Sequence, residues 1–338
     1  MNITKLKGGS LSGTYIHDDG THKWVRKHVS LDNNREYGFV RWYSQLKKMM
    51  RFSKLFPGVF INVTDFGVSD DGHDAYYDMP YIENSEDLYS YIDGLESTSA
   101  VQDVFNKVLA CMEELHSVQM EFCKSSLQLY FVEEVEKKLS DAFQSLEFKE
   151  FASLEYVEFQ GKRVKSLLSV FDLYQSEFKN IETEKLREVF THGNITLENI
   201  LYDKSNSKVI FIDPYEENIV DLVHAEYSQL LQSANGMYET LNDCAVERTS
   251  SSVKTTSEIK ASFGMAEFNR LLHNHLQGNF TKNEMKLIKL LEISQFIRML
   301  PFKLVVDKNK MFLFYGLASY LFSEYCKNYN LSSKRLVL

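Results

Sequence analysis

The stretch Thr191–Pro214, THGNITLENILYDKSNSKVIFIDP, decides how this chain reads. Within it His192, Asn194 and Asn199 follow one another as H-x-N-x-x-x-x-N, and Asp213 ends the apolar run Val209-Ile210-Phe211-Ile212. Two β-prone runs, Asn199–Tyr202 and Lys208–Ile212, flank the polar turn Asp203–Ser207 and predict a hairpin. A hairpin brings its two ends together, so Asn199 and Asp213 become neighbours. An amide oxygen and a carboxylate at adjacent strand ends are hard oxygen donors suited to Mg²⁺. Singly, an Asp-Pro after a strand and an Asn in a turn are ordinary turn residues. In this order, with a hairpin between them, they read as a metal clamp.

The same spacing occurs in the catalytic loop of kinases, H-x-D-x-x-x-x-N, whose aspartate accepts the proton of the attacking hydroxyl. Here that position is Asn194. A carboxamide takes no proton at ordinary pH, and losing a general base costs about 10²–10⁴-fold in rate. Asparagine is nearly isosteric with aspartate, so binding without turnover is the expected behaviour. His192 reads as a residue that supports the loop by hydrogen bonding.

Upstream, the runs Thr14-Tyr15-Ile16 and Lys23–Val29 flank the turn Asp18-Asp19-Gly20 and predict a second hairpin. Strand alternation puts Val25 and Lys27 on one face, with Val25 against an adenine and Lys27 at the phosphates. Arg26 faces the other way and is the competing choice. A helix over Asn34–Met50, with Phe39, Val40, Trp42, Tyr43 and Leu46 on its apolar face, carries Glu36 as the ion-pair partner that would aim Lys27. Gly8, Gly9 and Gly13 in LKGGSLSGTY suggest a loop over phosphates, although their spacing is not G-x-G-x-x-G. Phe60–Val63 and Ala75–Met79 are predicted to pair as strands. Met79, Pro80 and Ile82 would line the passage past the adenine, Pro80 offering only a carbonyl and Ile82 an N–H.

From Ser85 onward the spacing of apolar residues is helical, over Val101–Met120, 126–148, 162–190 and after Asp221, with strand character only in the hairpin. The polar segment Asn242–Ser262 is expected to be a mobile loop. The expected architecture is α+β and bilobal, protein-kinase-like. A small β-rich nucleotide-binding lobe spans 1–82, and a larger helical lobe over 83–338 carries the catalytic loop and the acceptor site. A net charge of −9 over 338 residues argues against nucleic acid as the main partner. Four dispersed cysteines without a C-x-x-C pair suit reduced thiols and a cytoplasmic protein. MNITKLKGG lacks the apolar core of a secretion signal. The apolar run Met311–Phe322 is too short to span a bilayer, so membrane insertion is not expected and a buried helix is. His273 and His275, two apart, are not expected to share a metal, and His116 reads as a packed residue.

The stretch HGNITLENILYD…VIFIDPYEENIVDLVHAEYSQLLQS resembles the aminoglycoside phosphotransferase and choline kinase family. His192, Asn199, Asp213 and Asp221-Leu222 match that family's pattern, Leu115-His116 resembles a pair in its helical lobe, and Asn194 departs from it. The resemblance implies ATP or GTP, Mg²⁺ and a small hydroxylated acceptor such as a sugar, amino sugar or amino alcohol. Pro214 and Leu230-Leu231-Gln232-Ser233 resemble members encoded with bacterial surface-polysaccharide genes. The acceptor is expected beside Asn194, walled by helices from 121–190 and 221–325. Asp221, Glu216 and Glu217 either contribute to a cationic or sugar-hydroxyl site or serve as helix-start charges. Two functions follow. One is a small-molecule kinase whose native aspartate has been replaced by Asn194, and the other is a natural pseudokinase that binds nucleotide or acts as a scaffold. The absence of an A-P-E segment after Asp213 argues against a eukaryotic-type protein kinase, while nucleotidyl transfer on a kinase-like fold stays open.

Overall fold

The Asp-Gly turn folds as predicted. In the computed structural model, which describes residues 2–6, 12–32, 37–215 and 218–331, the Asp19 carboxylate accepts the N–H groups of Thr21 and His22, both at 2.8 Å. This closes strand β2 (Gly13–Asp18) on β3 (Lys23–Ser30) in antiparallel register, Ile16 opposite Val25. With β1 (Asn2–Lys5), β4 (Asp65–Val68) and β5 (Asp74–Pro80) they form a five-stranded sheet in the order β1-β2-β3-β5-β4.

Helix α1 spans Tyr37–Leu55. Its buried side is Trp42, Leu46, Met49 and Phe52, whereas Val40 and Tyr43, expected in the core, are 52% and 46% exposed. The run 39–43 covers every side of a helix, and only the three-and-four spacing from Trp42 onward keeps to one face. The predicted strand Phe60–Val63 is corrected too. The partner of β5 is β4, with Asp65 opposite Asp78. Phe60 and Ile61 are instead a buried plug, where Phe211 N–H donates to Val59 C=O (2.7 Å) and Ile61 N–H to Phe211 C=O (3.2 Å). A short apolar run buried on all sides carries no periodicity by which to tell strand from plug.

The predicted hairpin forms with its strand ends shifted by one residue, Ile200–Asp203 against Lys208–Phe211, and Ser85–Asp87 (β6) adds a third strand beside it. The chain divides into two compact units, one of residues 1–91, 106–117 and 192–218, the other of 92–105, 118–191 and 219–338. The division expected at 82 placed the loop with the helical part, whereas 192–218 groups with the first unit.

The second unit is mainly helical, but strands Tyr156–Phe159, Lys162–Lys165, Val246–Arg248 and Ser252–Thr255 build a four-stranded sheet inside it. The helical reading of 162–190 holds over Phe171–Lys179 but is corrected at Lys162–Lys165, and the loop reading of 242–262 is corrected at Val246–Arg248 and Ser252–Thr255. The first hairpin turns on Gln160 and Gly161, both at positive φ (51° and 74°). That left-handed pair is what a two-residue hairpin loop demands. The helix Lys308–Asn328 buries Met311 to Ala318, as its apolar run predicted. Among the described residues no helix is long and apolar enough to cross a membrane.

Candidate active site

The loop is assembled around His192, which is fully buried. Its Nε2–H donates to the Ile212 carbonyl (2.7 Å) and its Nδ1 accepts the Asn194 N–H (3.2 Å). A carbonyl can only accept and a backbone N–H can only donate, so the ring is the neutral Nε2–H tautomer. It stacks on Phe60 (5.8 Å between centroids) and meets Phe211 edge-on (5.5 Å). Its own carbonyl accepts the Tyr215 N–H at 2.8 Å. His192 thus ties the loop to Ile212, between the strand Lys208–Phe211 and Asp213.

Gly193 follows at φ +83°, and a Cβ there would lie 2.1 Å from Asn218 Nδ2 and 2.6 Å from the Tyr215 carbonyl. Gly193→Ala is therefore expected to lose about 1–3 kcal/mol in denaturant unfolding. An unchanged midpoint would mean that the loop does not pack in this way.

Asn199 Nδ2 donates to the Asn194 carbonyl (2.8 Å) and to Thr196 Oγ1 (3.0 Å). Both amide hydrogens go to oxygens, which sets the orientation of the carboxamide and turns Oδ1 away from the loop. The Ile212 N–H donates to the Asn199 carbonyl at 3.0 Å, so Asp213 emerges one residue beyond Asn199's ladder partner. Asp213 sits at φ +55°, a left-handed conformation that asparagine and aspartate adopt more readily than other side chains.

Its carboxylate lies 2.7 Å from Lys27 Nζ, with Lys27 only 7% and Asp213 28% exposed. Arg26 points to the opposite face of β3, bound by Asp78 through two hydrogen bonds of 2.7 Å and stacked 3.8 Å from the Tyr76 ring centre. Val25 lies opposite Met79, and Lys27 opposite Tyr77, on the face that carries the Asp213 pair. Burial, and secondarily the Asp213 carboxylate, pushes the Tyr77 hydroxyl well above its ordinary pKa. The Asn194 backbone is held, but its carboxamide makes no hydrogen bond with any described residue.

Helix α1 contributes residues that the sequence reading missed. Gln45 Nε2 donates to the Pro214 carbonyl at 3.4 Å and Lys48 Nζ to the Tyr215 carbonyl. The Arg41 guanidinium lies 5.1 Å from the Tyr215 ring centre. Arg41, Ser44 and Gln45 line a cavity of about 30 Å³ with Asn194, Asp213, Pro214 and Tyr215. Arg41, Gln45 and Lys48 recur at helical spacing, which was the available signal.

Other expected residues are placed as follows. Gly9, Glu36, Glu216 and Glu217 lie outside the described residues. Gly13 is no part of a loop; it opens β2 opposite His28. Met79 is buried in β5, Pro80 ends that strand opposite Trp24, and the Ile82 carbonyl accepts the Ser85 hydroxyl at 2.8 Å. In the second unit one Asp221 carboxylate oxygen accepts the Thr191 hydroxyl, and the Asp221 carbonyl accepts the Val189 N–H at 2.9 Å. Burial, with Asp221 nearby, raises the Glu188 carboxyl.

Among the described residues no group of three or more His, Cys, Asp or Glu side chains converges as a metal cage. The hairpin end instead offers one carboxylate, Asp213, and one amide oxygen, from Asn199. That donor set fits Mg²⁺, which keeps waters and phosphate oxygens as its other ligands, and does not fit a closed zinc or calcium site.

No protein-family profile matches the chain, and no curated protein sequence does. Solved structures match along nearly its whole length. Aminoglycoside 2'-phosphotransferase-IIIa in its GDP complex superposes with a TM-score of 0.57 at 13% identity, covering 96% of this chain and 93% of that one. A thermostable mutant of aminoglycoside phosphotransferase APH(4)-Ia, in its apo form, gives 0.54 at 9% identity, covering 95% and 94%. A candidate fructosamine-3-kinase from Haemophilus somnus 129PT gives 0.53 at 9% identity, covering 95% and 91%. At such identities the likeness shows the fold, which is the α+β, kinase-like phosphotransferase fold expected from the sequence, with a sheet-rich N-terminal region and a helical C-terminal region.

Proposed function

We propose that this chain is a small-molecule kinase that binds a nucleoside triphosphate, ATP or GTP, with Mg²⁺. Its acceptor is the hydroxyl of a sugar, an amino sugar or an amino alcohol. The observation that carries the reading is the convergence of Lys27 and Asp213 at 2.7 Å beside a loop that holds Asn194 and Asn199. Solved neighbours of this fold include APH(4)-Ia complexes with AMP-PNP or ADP together with hygromycin B.

In this reading Lys27 leaves Asp213 for the nucleotide phosphates, Val25 and Met79 pack on the base, and the Pro80–Ile82 backbone reads its edge. Asp213 and Asn199 would hold the metal, whose positive charge would offset that of the phosphates. Asn194 positions the acceptor hydroxyl through its carboxamide and takes no proton, so the chain binds its substrates and turns over poorly. The setting we propose is a bacterial cytoplasm, in surface-polysaccharide metabolism, on the resemblance of Pro214 and Leu230–Ser233.

Asn194 itself favours a second reading, a natural pseudokinase that keeps the nucleotide without transfer. Both readings require metal-dependent nucleotide binding. Calorimetry of Mg-ATP and Mg-GTP is expected to show saturable binding of at least one, and the absence of heat with both would remove the two readings together.

A further inference from the structure

The charged groups around the Asp213 cavity are not equivalent. Lys27 pairs with Asp213, Arg26 with Asp78, and Lys48 bonds the Tyr215 carbonyl. Arg41 is exposed and makes no ion pair with any described residue. Its guanidinium lies 5.1 Å from the ring centre of Tyr215. A guanidinium packed by its face keeps its in-plane N–H donors for another partner.

The cavity beside it is lined by Asp213 and by the Asn194 carboxamide, which bonds no described residue. At about 30 Å³ it has room for one or two oxygen-sized atoms. A fork of donors and an amide, facing a carboxylate suited to a divalent cation, make a site for an anion that arrives with its metal. Lys27, paired with Asp213, is not among the described residues that line the cavity, whereas Arg41 and Asn194 line it together. In the reading above Asn194 meets the acceptor hydroxyl, so the phosphoryl group nearest the acceptor belongs beside Arg41.

We propose that Arg41 binds the terminal phosphoryl group of the nucleotide, so that the site distinguishes a triphosphate from a diphosphate. This rests on the kinase reading above. In the transfer an acceptor oxygen bonds to the terminal phosphorus, the bond from that phosphorus to the bridging oxygen breaks, and its electron pair leaves with the diphosphate. The acceptor's proton goes to water. Arg41 cannot take it, because guanidinium stays protonated throughout the working range. Its contribution is charge and a fork that matches phosphate oxygens.

The test is calorimetry with Mg²⁺, titrating AMP-PNP and ADP into the parent chain, Arg41→Ala and Arg41→Lys. Arg41→Ala is expected to weaken AMP-PNP by about ten-fold or more while ADP changes by less than about two-fold. Arg41→Lys should fall between, because an ammonium restores charge without the fork. Lys27→Ala is the contrast and should weaken both nucleotides. Equal weakening of AMP-PNP and ADP by Arg41→Ala would mark a structural role and overturn the proposal, as would no change in either. Those outcomes leave the kinase reading standing. A parent chain that binds neither nucleotide overturns both.

Discussion

Asn194→Asp is expected to raise turnover by about 10²–10⁴-fold over the chain as it stands, the usual contribution of a positioned general base. The substitution exchanges one amide nitrogen for an oxygen on a side chain that bonds no described residue. The loop does not depend on that side chain, since its backbone is held through His192, Thr196 and Asn199. The introduced carboxylate would be ionised at neutral pH, its ordinary pKa being about 3.9. The gained rate should therefore rise with pH as the carboxylate loses its proton. The measurement is ADP release from Mg-ATP with and without a pool of sugars, amino sugars, choline and nucleosides. Turnover by the variant alone identifies a kinase with its base removed, and splitting the pool finds the acceptor. If both chains bind ATP and neither turns over any member of the pool, the pseudokinase becomes the better reading.

Asp213→Ala is expected to weaken metal-dependent nucleotide binding by about 10²-fold, the scale on which a charge-paired contact is lost. It removes the Asp213 carboxylate and leaves the Lys27 ammonium, 7% exposed, without this partner. A stability loss of about 1–3 kcal/mol should accompany it, less than for a fully buried pair because Asp213 is 28% exposed. Calorimetry with and without Mg²⁺ separates the two consequences, since the loss of affinity should be confined to the metal-containing titration. Lys27→Ala should weaken phosphate binding in both titrations. Arg26→Ala should lower stability, by leaving Asp78 unpaired, without that nucleotide effect. Unchanged affinity in Asp213→Ala would mean that the hairpin does not carry the metal. A nucleotide effect in Arg26→Ala greater than in Lys27→Ala would place the wrong residue at the phosphates.

Much of the loop was legible because its contacts are close in sequence. Asn199 reaches Asn194 and Thr196, five and three residues back, and the hairpin joins strands across a short turn. The choice between Lys27 and Arg26 was half legible. Alternation told that they face opposite ways, but only the positions of Asp78 and Asp213 told which of the two pairs with the hairpin-end carboxylate. The β4 strand was misplaced by a few residues because Phe60–Val63 is more apolar than Asp65–Val68, and apolarity marks burial before it marks strand. The second unit's sheet was missed because its strands are short and three of the four are mostly polar, and two of them lie in a Ser-, Thr- and Lys-rich stretch that composition alone assigns to a loop.

By itself the sequence determined the elements that local geometry governs: the His192–Asn199 loop, the hairpin that ends at Asp213, the alternation of Val25 and Lys27, and the departure at Asn194. Tertiary structure alone decided how α1 meets that loop. Lys48 and Gln45 bond carbonyls 167 and 169 residues away, and Arg41 reaches the Tyr215 ring beside the same cavity. Side chains on one helix face announce that they seek a partner, but the identity of a partner so distant along the chain is set by packing, which no local spacing encodes.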